Sequence, residues 1–377
     1  MPAIGPAAGL RQPVECSIMV DDDEIAGLYP YLREAQVAMT RRAATSATLT
    51  FDSIRLENGR WSVQDAGVFK AWRRIRLEAV FGNHREEVMR GYIKEVRCEY
   101  PEDMSAARVT VNALDESFLL DREHARRNLS TEEAPMSDGD IVAAIASEHN
   151  LAVSADPGIT NTSLNLDGTY IRFLRDRAEA NGYEYYVRAG TLYFKAPQLG
   201  QQPVAPIRVY AGSVTNCLRF AASYDGHKPD QVAVSRAAES GTQSEPPQAF
   251  TPNLQPLGSE PASSESQGLK PFVWLMQAPG GATAAEAEAR AQAKANENSW
   301  KVSAEGELDG ALYGHVLLTH EVVPVDGAGD TYGGIYYVDE VQHRFSLEGY
   351  RQVFKLMRNA TGEGGVFGAG LPGLGAG

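Results

Sequence analysis

Hydrophobic and polar residues alternate along much of the first 120 residues, which predicts β-strands. The segment 47–52 alternates Ala, Leu and Phe with Thr and Asp, and the segment 74–81 alternates Ile, Leu, Ala and Phe mostly with Arg and Glu. Each segment can bury one face and expose the other, as in an antiparallel sheet closed into a sandwich or barrel. Two further strand patterns, 91–99 and 107–114, are separated by the turn-like Tyr100-Pro101-Glu102-Asp103 and predict a hairpin.

One segment of this region has a different period. Apolar residues recur at near-helical spacing between Asp22 and Met39, whereas Gly27 and Pro30 would interrupt a helix. We therefore expect a short helix or an ordered loop at this place.

The pattern becomes mixed from residue 121. Ser137 followed by Asp140 is typical of a helix N-terminus, and the apolar spacing continues to about Glu148. A second helix is predicted from Thr169 to the pair Asn181-Gly182, where a left-handed C-terminal turn is expected. A tight hairpin over 183–195 follows, so this region is predicted to be a small α+β domain.

Strand patterns return at 207–210, 216–223 and 231–235, and again from Trp300 to Asn359. Between them, 237–268 contains five prolines and four glutamates but no basic residue, which predicts a mobile loop or an insertion on the surface. An Ala-rich helix then opens with the capping box Thr283-x-x-Glu286. The last sixteen residues contain eight glycines, and we expect them to be unstructured unless a partner orders them.

A weak internal repeat links the two β regions. The segments 92–97 and 337–342 share Tyr, Glu and Val, and a turn and another strand follow each of them. This repeat predicts two versions of one β-barrel within the chain. The fold class is thus mainly β with an α+β part. The predicted units are a first β-barrel (1–120), an α+β domain (121–199), a second β-barrel (200–236 and 300–360), a Pro-rich loop plus helix inserted in it (237–299) and a Gly-rich flexible tail (361–377).

Composition and charge restrict the class of partner. The chain has 377 residues, with 35 Lys plus Arg against 49 Asp plus Glu and a net charge of -14. This balance argues against a dedicated binder of duplex nucleic acid or of an anionic membrane, so we expect protein partners and no sequence-specific nucleic-acid binding. The sequence contains no apolar run long enough for a membrane-spanning helix and no classical signal peptide pattern. Its three cysteines are far apart and are interpreted as buried free thiols.

The motifs that could carry chemistry have simpler interpretations. Gly368-x-Gly370-x-x-Gly373 matches a dinucleotide fingerprint, but the strand and helix that this loop requires are missing. His315 and His320 would lie on opposite faces of a strand, which favours surface or packed histidines over a metal site. The run Asp21–Glu24 lacks the spacing and glycine of a calcium loop. We therefore expect no catalytic residue, no cofactor and no metal site.

Two features are candidates for partner binding. The cluster Arg73-Arg74-x-Arg76 is either a solvated face or a contact with an acidic neighbouring subunit. In the C-terminal tail, Phe367, Leu371 and Leu374 are spaced among glycines. The tail is either a frayed end or a tether that a spike or a neighbouring subunit orders.

Two stretches resemble a known family, the late-control D family of tail hub proteins from contractile-tailed phages. This family is related to the N-terminal part of type VI secretion spike proteins. The first stretch is Phe173-Leu174-Arg175-x-x-Ala178-Glu179-x-Asn181-Gly182-Tyr183-Glu184-Tyr185-Tyr186-Val187, followed by Phe194-x-Ala196-Pro197. The second stretch is Gly333-Gly334-Ile335-Tyr336-Tyr337-Val338-x-x-Val341-x-His343-x-Phe345, followed by Gly349-Tyr350 and Phe354-x-Leu356-x-Arg358. Together the two matches extend over most of residues 90 to 360.

The resemblance implies a structural role. Hubs of this family carry two barrels similar to the tail-tube protein, so a homotrimer offers six tube-like barrels. A hexameric tail tube can then dock on one side of the trimer, and a trimeric spike on the other. The expected partners are thus the tail tube protein, a separate trimeric spike and other baseplate proteins. We expect a late protein that assembles in the bacterial cytoplasm and resides in the virion tail or baseplate, or in an equivalent injection particle.

Two other function classes remain open from the sequence. A tail-associated peptidoglycan hydrolase would require a defined carboxylate pair, and none of the 49 acidic residues is singled out for that role. A soluble two-barrel adaptor outside any particle would share the same fold.

Overall fold

Antiparallel β-strands form most of the protein, as the sequence predicts. The structure is a computed structural model that describes residues 13–235, 247–263, 268–278, 280 and 283–362. Within these residues, no helix is both long and apolar enough to cross a membrane.

The first region of the chain is a run of strands. Its elements are β1 (Val14–Val20), β2 (Asp23–Glu24), β3 (Leu32–Thr40), β4 (Ala43–Asp52), β5 (Arg74–Phe81), β6 (His84–Glu99) and β7 (Arg108–Asp115). The expectation of a short helix or loop up to Met39 holds only for the 3-10 helix Ala26–Tyr31. The residues before this helix include β2, and those after it form strand β3, because Ala35, Val37 and Met39 alternate into the core.

The middle region is a small α+β unit. Its elements are β8 (His124–Ser130), β9 (Met136–Ser137), α1 (Asp138–Glu148), β10 (Ala152–Ala155), β11 (Thr160–Asn161), β12 (Leu164–Thr169), α2 (Tyr170–Asn181), β13 (Glu184–Arg188) and β14 (Thr191–Lys195). Ser137 caps α1 by accepting a hydrogen bond from the Asp140 N–H, and Gly182 ends α2 in the left-handed conformation. Both helices pack on the β13–β14 hairpin around a core that includes Leu174 and Phe194.

The last region contains strands and three α-helices within the described residues. Its elements are β15 (Ile207–Arg208), β16 (Cys217–Tyr224), β17 (Gln231–Ser235), β18 (Gln248–Phe250), β19 (Glu260–Pro261), β20 (Val273–Gln277), α3 (Ala284–Asn298), β21 (Val302–Asp309), α4 (Gly310–Tyr313), β22 (Val322–Asp326), α5 (Gly329–Tyr332), β23 (Gly334–Ser346), β24 (Gly349–Arg358) and β25 (Ala360–Thr361).

A three-stranded sheet in this region is separate from the large sheet. Its strand order is β18-β17-β20, and α3 packs on it through a row of buried alanines. The sequence pattern groups 231–235 with the second barrel, whereas β17 lies in this small sheet. The described part of the Pro-rich segment is packed rather than loose, since Leu257 is buried and β19 pairs with β25.

Within the described residues, thirteen strands form one continuous sheet. Its main path is β16-β21-β24-β23-β3-β4-β7-β6-β5-β1-β2, and β22 and β15 branch from β23. The two predicted β regions are therefore joined directly, because β23 pairs with β3. We call β1 and β3–β7 module 1, and β15, β16 and β21–β24 module 2.

The two modules share one strand order. When the six strands of a module are numbered in chain order, their order across the sheet is second, third, sixth, fifth, fourth, first. This order is β3-β4-β7-β6-β5-β1 in module 1 and β16-β21-β24-β23-β22-β15 in module 2. The first strands differ, since β1 is antiparallel to β5 whereas β15 is parallel to β22. The internal repeat is confirmed at this level, because 92–97 and 337–342 both lie in the fifth strand.

The register of the modules is also equivalent. The register between the fifth and sixth strands shifts at Lys94 in module 1 and at Asp339 in module 2. These two positions are equivalent when Tyr92 is aligned with Tyr337. The second strands shift at Arg33 and at Leu218, which also match, whereas a further shift at Met39 of β3 has no counterpart in β16. Such coincident bulges indicate one duplicated unit.

Each module has its own apolar core, and one hairpin is shared between them. Leu49 and Val111 are fully buried in module 1, and Phe354 is fully buried in module 2. The far end of the β23–β24 hairpin leaves module 2 and places Phe345 and Tyr350 in the core of module 1. This hairpin fixes the two modules relative to each other.

Candidate assembly interface

The contact between the modules is a strand pairing within one chain. Antiparallel pairing of β23 with β3 runs from Glu340 opposite Thr40 to Ser346 opposite Glu34. The second strand of module 1 is thereby bonded to the fifth strand of module 2. This junction shows how one module can be added to another.

Arg41 closes one end of the junction. Its guanidinium is only 7% exposed and lies 3.1 Å from Glu184 Oε1, 3.2 Å from Glu297 Oε2 and 3.2 Å from Asp339 Oδ1. The Tyr337 hydroxyl donates a 2.5 Å hydrogen bond to the other oxygen of Glu184. One arginine thus joins module 1, the α+β unit, helix α3 and module 2.

The electrostatics of this cluster favour a charged arginine. Burial alone would lower the pKa of Arg41, but the three carboxylates raise it above its ordinary value. Burial raises the pKa of Glu184, although Arg41 and Tyr337 act in the opposite direction. Because the buried charges are paired, the cluster holds four parts of the chain in one geometry.

Aromatic packing closes the other end of the junction. The rings of Phe345 and Tyr350 stack with centroids 4.2 Å apart, and Phe81 of module 1 meets Tyr350 edge-on at 6.1 Å. His343 is fully buried, and its Nδ1 lies 2.8 Å from the Tyr350 hydroxyl. Burial lowers the pKa of His343 to about 3, so this ring is neutral in the core.

The strands that match β3 and β23 have one open edge each. Among the described residues, β16 pairs along its length only with β21, and the segment Glu95–Glu99 of β6 pairs only with β7. These are the second strand of module 2 and the fifth strand of module 1. Each strand type of the internal junction therefore has a counterpart with an open edge: β16 at one end of the sheet, and Glu95–Glu99 of β6 beyond the part of β6 that pairs with β5.

Exposed apolar side chains lie along these open edges. Tyr100, which follows β6, is 57% exposed, and Leu218 and Tyr224 of β16 are 51% and 36% exposed. In the connection before β16, Tyr210 is 93% exposed. Unpaired backbone groups next to apolar side chains are typical of an edge that another strand covers.

The predicted binding residues lie elsewhere. Arg73 Nε is 2.6 Å from Asp21 Oδ2, and the Arg74 N–H donates to Asp21 Oδ1 at 2.9 Å. Arg76 Nε lies 3.5 Å from Glu78 Oε1. The structure therefore brings the basic cluster together with acidic residues of its own chain, and a contact with a neighbouring subunit stays a prediction. Phe367, Leu371 and Leu374 lie outside the described residues.

The buried carboxylates have structural partners. Burial raises the pKa of Asp115, whose oxygens accept hydrogen bonds from the Thr45 N–H at 2.5 Å and the Ser117 N–H at 2.9 Å. Glu184 is held by Arg41 and Tyr337. These interactions assign both groups to the scaffold.

The sequence carries no signal for the Arg41 cluster. Arg41 and Arg42 are adjacent basic residues at a turn, yet Arg41 is buried and the Arg42 side chain is 63% exposed. The carboxylates around Arg41 come from segments more than 140 residues away. The Arg41 cluster can be found only when the pairing of the distant strands is known.

Most of the chain matches one family model. A model described as the Alg8 N-terminal domain matches residues 11–346, which include module 1, the α+β unit and module 2 as far as the end of β23. The chain belongs to the Alg8 N-terminal domain family. No curated protein is significantly similar in sequence to this family member.

Solved structures share the fold of this Alg8 N-terminal domain protein. The 43 kDa tail protein of prophage MuSo2 from Shewanella oneidensis is 14% identical, with a TM-score of 0.65 over 92% of this chain and 99% of that chain. A tail protein from Neisseria meningitidis MC58 is 12% identical, with a TM-score of 0.64 over 92% and 97%.

A third similar structure is the E. coli c3393 protein. It is 9% identical, with a TM-score of 0.52 over 92% of this chain and 77% of that chain. That protein is described as a component of the type VI secretion system with structural similarity to the bacteriophage T4 tail proteins gp27 and gp5. The resemblance to tail hub proteins is therefore confirmed at the level of the fold.

Proposed function

We propose that this protein is the structural hub of a contractile tail or related injection particle. Three copies form a ring of six equivalent modules, which adapts a hexameric tail tube to a trimeric spike. The observation that carries the proposal is the pair of open strand edges, because they are the counterparts of the two strands in the internal junction.

The internal junction predicts the register between chains. Transferring the β3–β23 pairing to the equivalent strands places Arg97 of one copy opposite Ser223 of the next. The same register places Val96 opposite Tyr224. Antiparallel pairing would satisfy the edge backbone groups and bury the apolar side chains of β16 and Tyr100.

Such a contact is head-to-tail, so it closes only as a ring. Every added copy uses one β16 edge and one β6 edge and leaves the same two edges open at the ends of the array. A closed ring of three copies presents six modules. This number matches the sixfold tube that the resemblance to tail hubs implies, and it supports the proposal that the protein lies in the tail or baseplate of the particle.

The fold neighbours support this role. One of them is a prophage tail protein, another is described as a tail protein, and the third is a component of the type VI secretion system. We infer that the tail tube protein, a spike protein and other baseplate proteins are the partners of this chain. An electron micrograph of the native assembly would place the protein between tube and spike.

The mass of the purified protein tests the ring. Native mass spectrometry and light scattering at micromolar concentration should give three times the 40.9 kDa mass of one chain. The interface per pair of copies should exceed about 2,000 Å², as in obligate assemblies. A monodisperse monomer would contradict the proposal.

Charge variants test the register. Ser223→Lys should weaken the trimer because Lys would face Arg97, and like charges directly opposite each other cost about 0.2–1 kcal/mol per pair. Adding Arg97→Glu to that variant should restore the trimer. Thr160→Lys is the matched control, since Thr160 is exposed on β11, in a sheet separate from the β16 and β6 edges. Equal effects of the two lysine variants would refute the register.

A further inference from the structure

Three metal-ligating side chains meet at a second contact between the modules. His84 and Glu86 lie at the start of β6, just after the β5–β6 turn of module 1. His315 lies just after α4 of module 2. One ligand atom from each residue lies within 4.8 Å of the others, although His315 is 229 residues from Glu86.

The three groups face one another directly. Glu86 Oε1 is 2.8 Å from His84 Nε2 and also 2.8 Å from His315 Nδ1. The other oxygen, Oε2, accepts a hydrogen bond from the Val316 N–H at 2.5 Å. One carboxylate oxygen is thus available to the two imidazole nitrogens, while the backbone fixes the orientation of the carboxylate.

The surrounding residues hold the ligands in place. The His84 ring stacks on Phe81 with centroids 5.1 Å apart, and Tyr313 meets His315 edge-on at 6.1 Å. The fully buried Gln352 donates a 2.8 Å hydrogen bond to the His315 carbonyl oxygen, which anchors that segment to β24. These contacts preorganise the cluster.

We propose that His84, Glu86 and His315 bind a divalent transition-metal ion of the zinc class. Two imidazole nitrogens and one carboxylate oxygen are a ligand set that suits zinc, whereas calcium and magnesium prefer oxygen ligands alone. The side chains of the two histidines are 47% and 51% exposed, so solvent can reach the site and supply the fourth ligand.

The bound ion would act as a clamp between the modules. It would join the β5–β6 hairpin of module 1 to the segment after α4 of module 2, at a place distinct from the β3–β23 pairing. This role is independent of the ring and would operate in a single chain. Binding to the folded state alone would stabilise the protein by mass action.

Titration of the full-length protein tests the site. Protein freed of metal with EDTA and then dialysed should bind one Zn²⁺ per chain in calorimetry, and Co²⁺ should give the visible absorption of a site with nitrogen ligands. Mg²⁺ at the same concentration should give no heat. The melting temperature should rise with Zn²⁺.

Variants distinguish this site from other histidines. His84→Gln and His315→Gln, which keep a hydrogen-bonding group near Glu86, should each weaken Zn²⁺ binding by at least about tenfold, because even outer-shell changes cost about 10–100-fold. His227→Ala, at an exposed histidine in the turn after β16, is the control and should bind as the wild type does. Absence of Zn²⁺ binding by the wild type, or unchanged affinity in the double glutamine variant, would overturn the proposal.

Discussion

Replacement of Arg41 by alanine should open the junction between the modules. The substitution removes the cation that pairs with Glu184, Glu297 and Asp339, and it leaves the Glu184 carboxylate, 5% exposed, without its charge partner. Breaking a buried ion pair from one side costs about 3–5 kcal/mol. Exposed Arg42, which also pairs with Glu297, is the matched control, and Arg42→Ala should cost less than about 1 kcal/mol.

Hydrogen exchange followed by mass spectrometry measures this opening locally. Peptides that contain β3 and the 340–346 part of β23 should exchange faster in Arg41→Ala by about two to four orders of magnitude, since opening of the pairing controls their exchange. Peptides from α1 should change little. The reasoning is refuted if Arg41→Ala and Arg42→Ala accelerate the β3 peptide equally.

The loss in Arg41→Ala should depend on pH. Burial raises the pKa of Glu184 in the folded state, and loss of Arg41 removes an interaction that lowers it. A carboxyl whose folded pKa lies above its unfolded value of about 4.3 stabilises the protein below that pH and loses this contribution as the pH rises through the folded pKa. The deficit of the variant should therefore be smallest below about pH 4 and grow towards neutral pH. A deficit that stays constant from pH 4 to 7 would contradict this assignment.

Two further substitutions test the packing of module 2. Gly306→Ala should loosen β16 and lower the free energy of unfolding by at least about 2 kcal/mol, because the added Cβ would lie 2.3 Å from the backbone oxygen of Arg219. Gly27→Ala is the control: its added Cβ meets nothing within 4 Å, so stability should change by less than about 1 kcal/mol. Unchanged hydrogen exchange of β16 in Gly306→Ala would count against this. Lys301→Ala should lower the free energy of unfolding by about 3–5 kcal/mol, since the Lys301 side chain is only 1% exposed and its Nζ lies 2.5 Å from Asp230 Oδ1. Replacement of the exposed Lys355 by alanine should cost less than about 1 kcal/mol. Similar urea midpoints for the two lysine variants would show that this pair does not stabilise the fold.

Local patterns were sufficient to predict many of the elements. The alternation over 74–81 matches β5, and the capping box at Thr283 begins α3, where the Thr283 hydroxyl oxygen accepts the Glu286 N–H at 3.2 Å. The spacing of apolar residues gave a wrong prediction at β3. It fitted a helix, but the segment is a strand that buries Ala35, Val37 and Met39. Periodicity cannot separate these cases when both spacings fit.

The candidate interface could not be predicted in the same way. The pairing of β23 with β3 joins residues about 300 positions apart, and nothing local in either strand specifies its register. Arg41 and the cluster around Glu86 are assembled by the same long-range topology. The repeat at Tyr92 and Tyr337 was the only sequence signal of the duplication, and its meaning depended on strand order.

A disulfide cross-link tests the central claim most directly. Under oxidation, the variant Arg97→Cys/Ser223→Cys should form covalently closed trimers, because these positions are opposite each other between neighbouring copies in the proposed register. The variant Arg97→Cys/Ala221→Cys, which is displaced by two residues on the same face, should cross-link much less. Trimers from the first variant alone are the predicted result. No cross-linking, or equal cross-linking of both variants, would contradict the ring of equivalent modules.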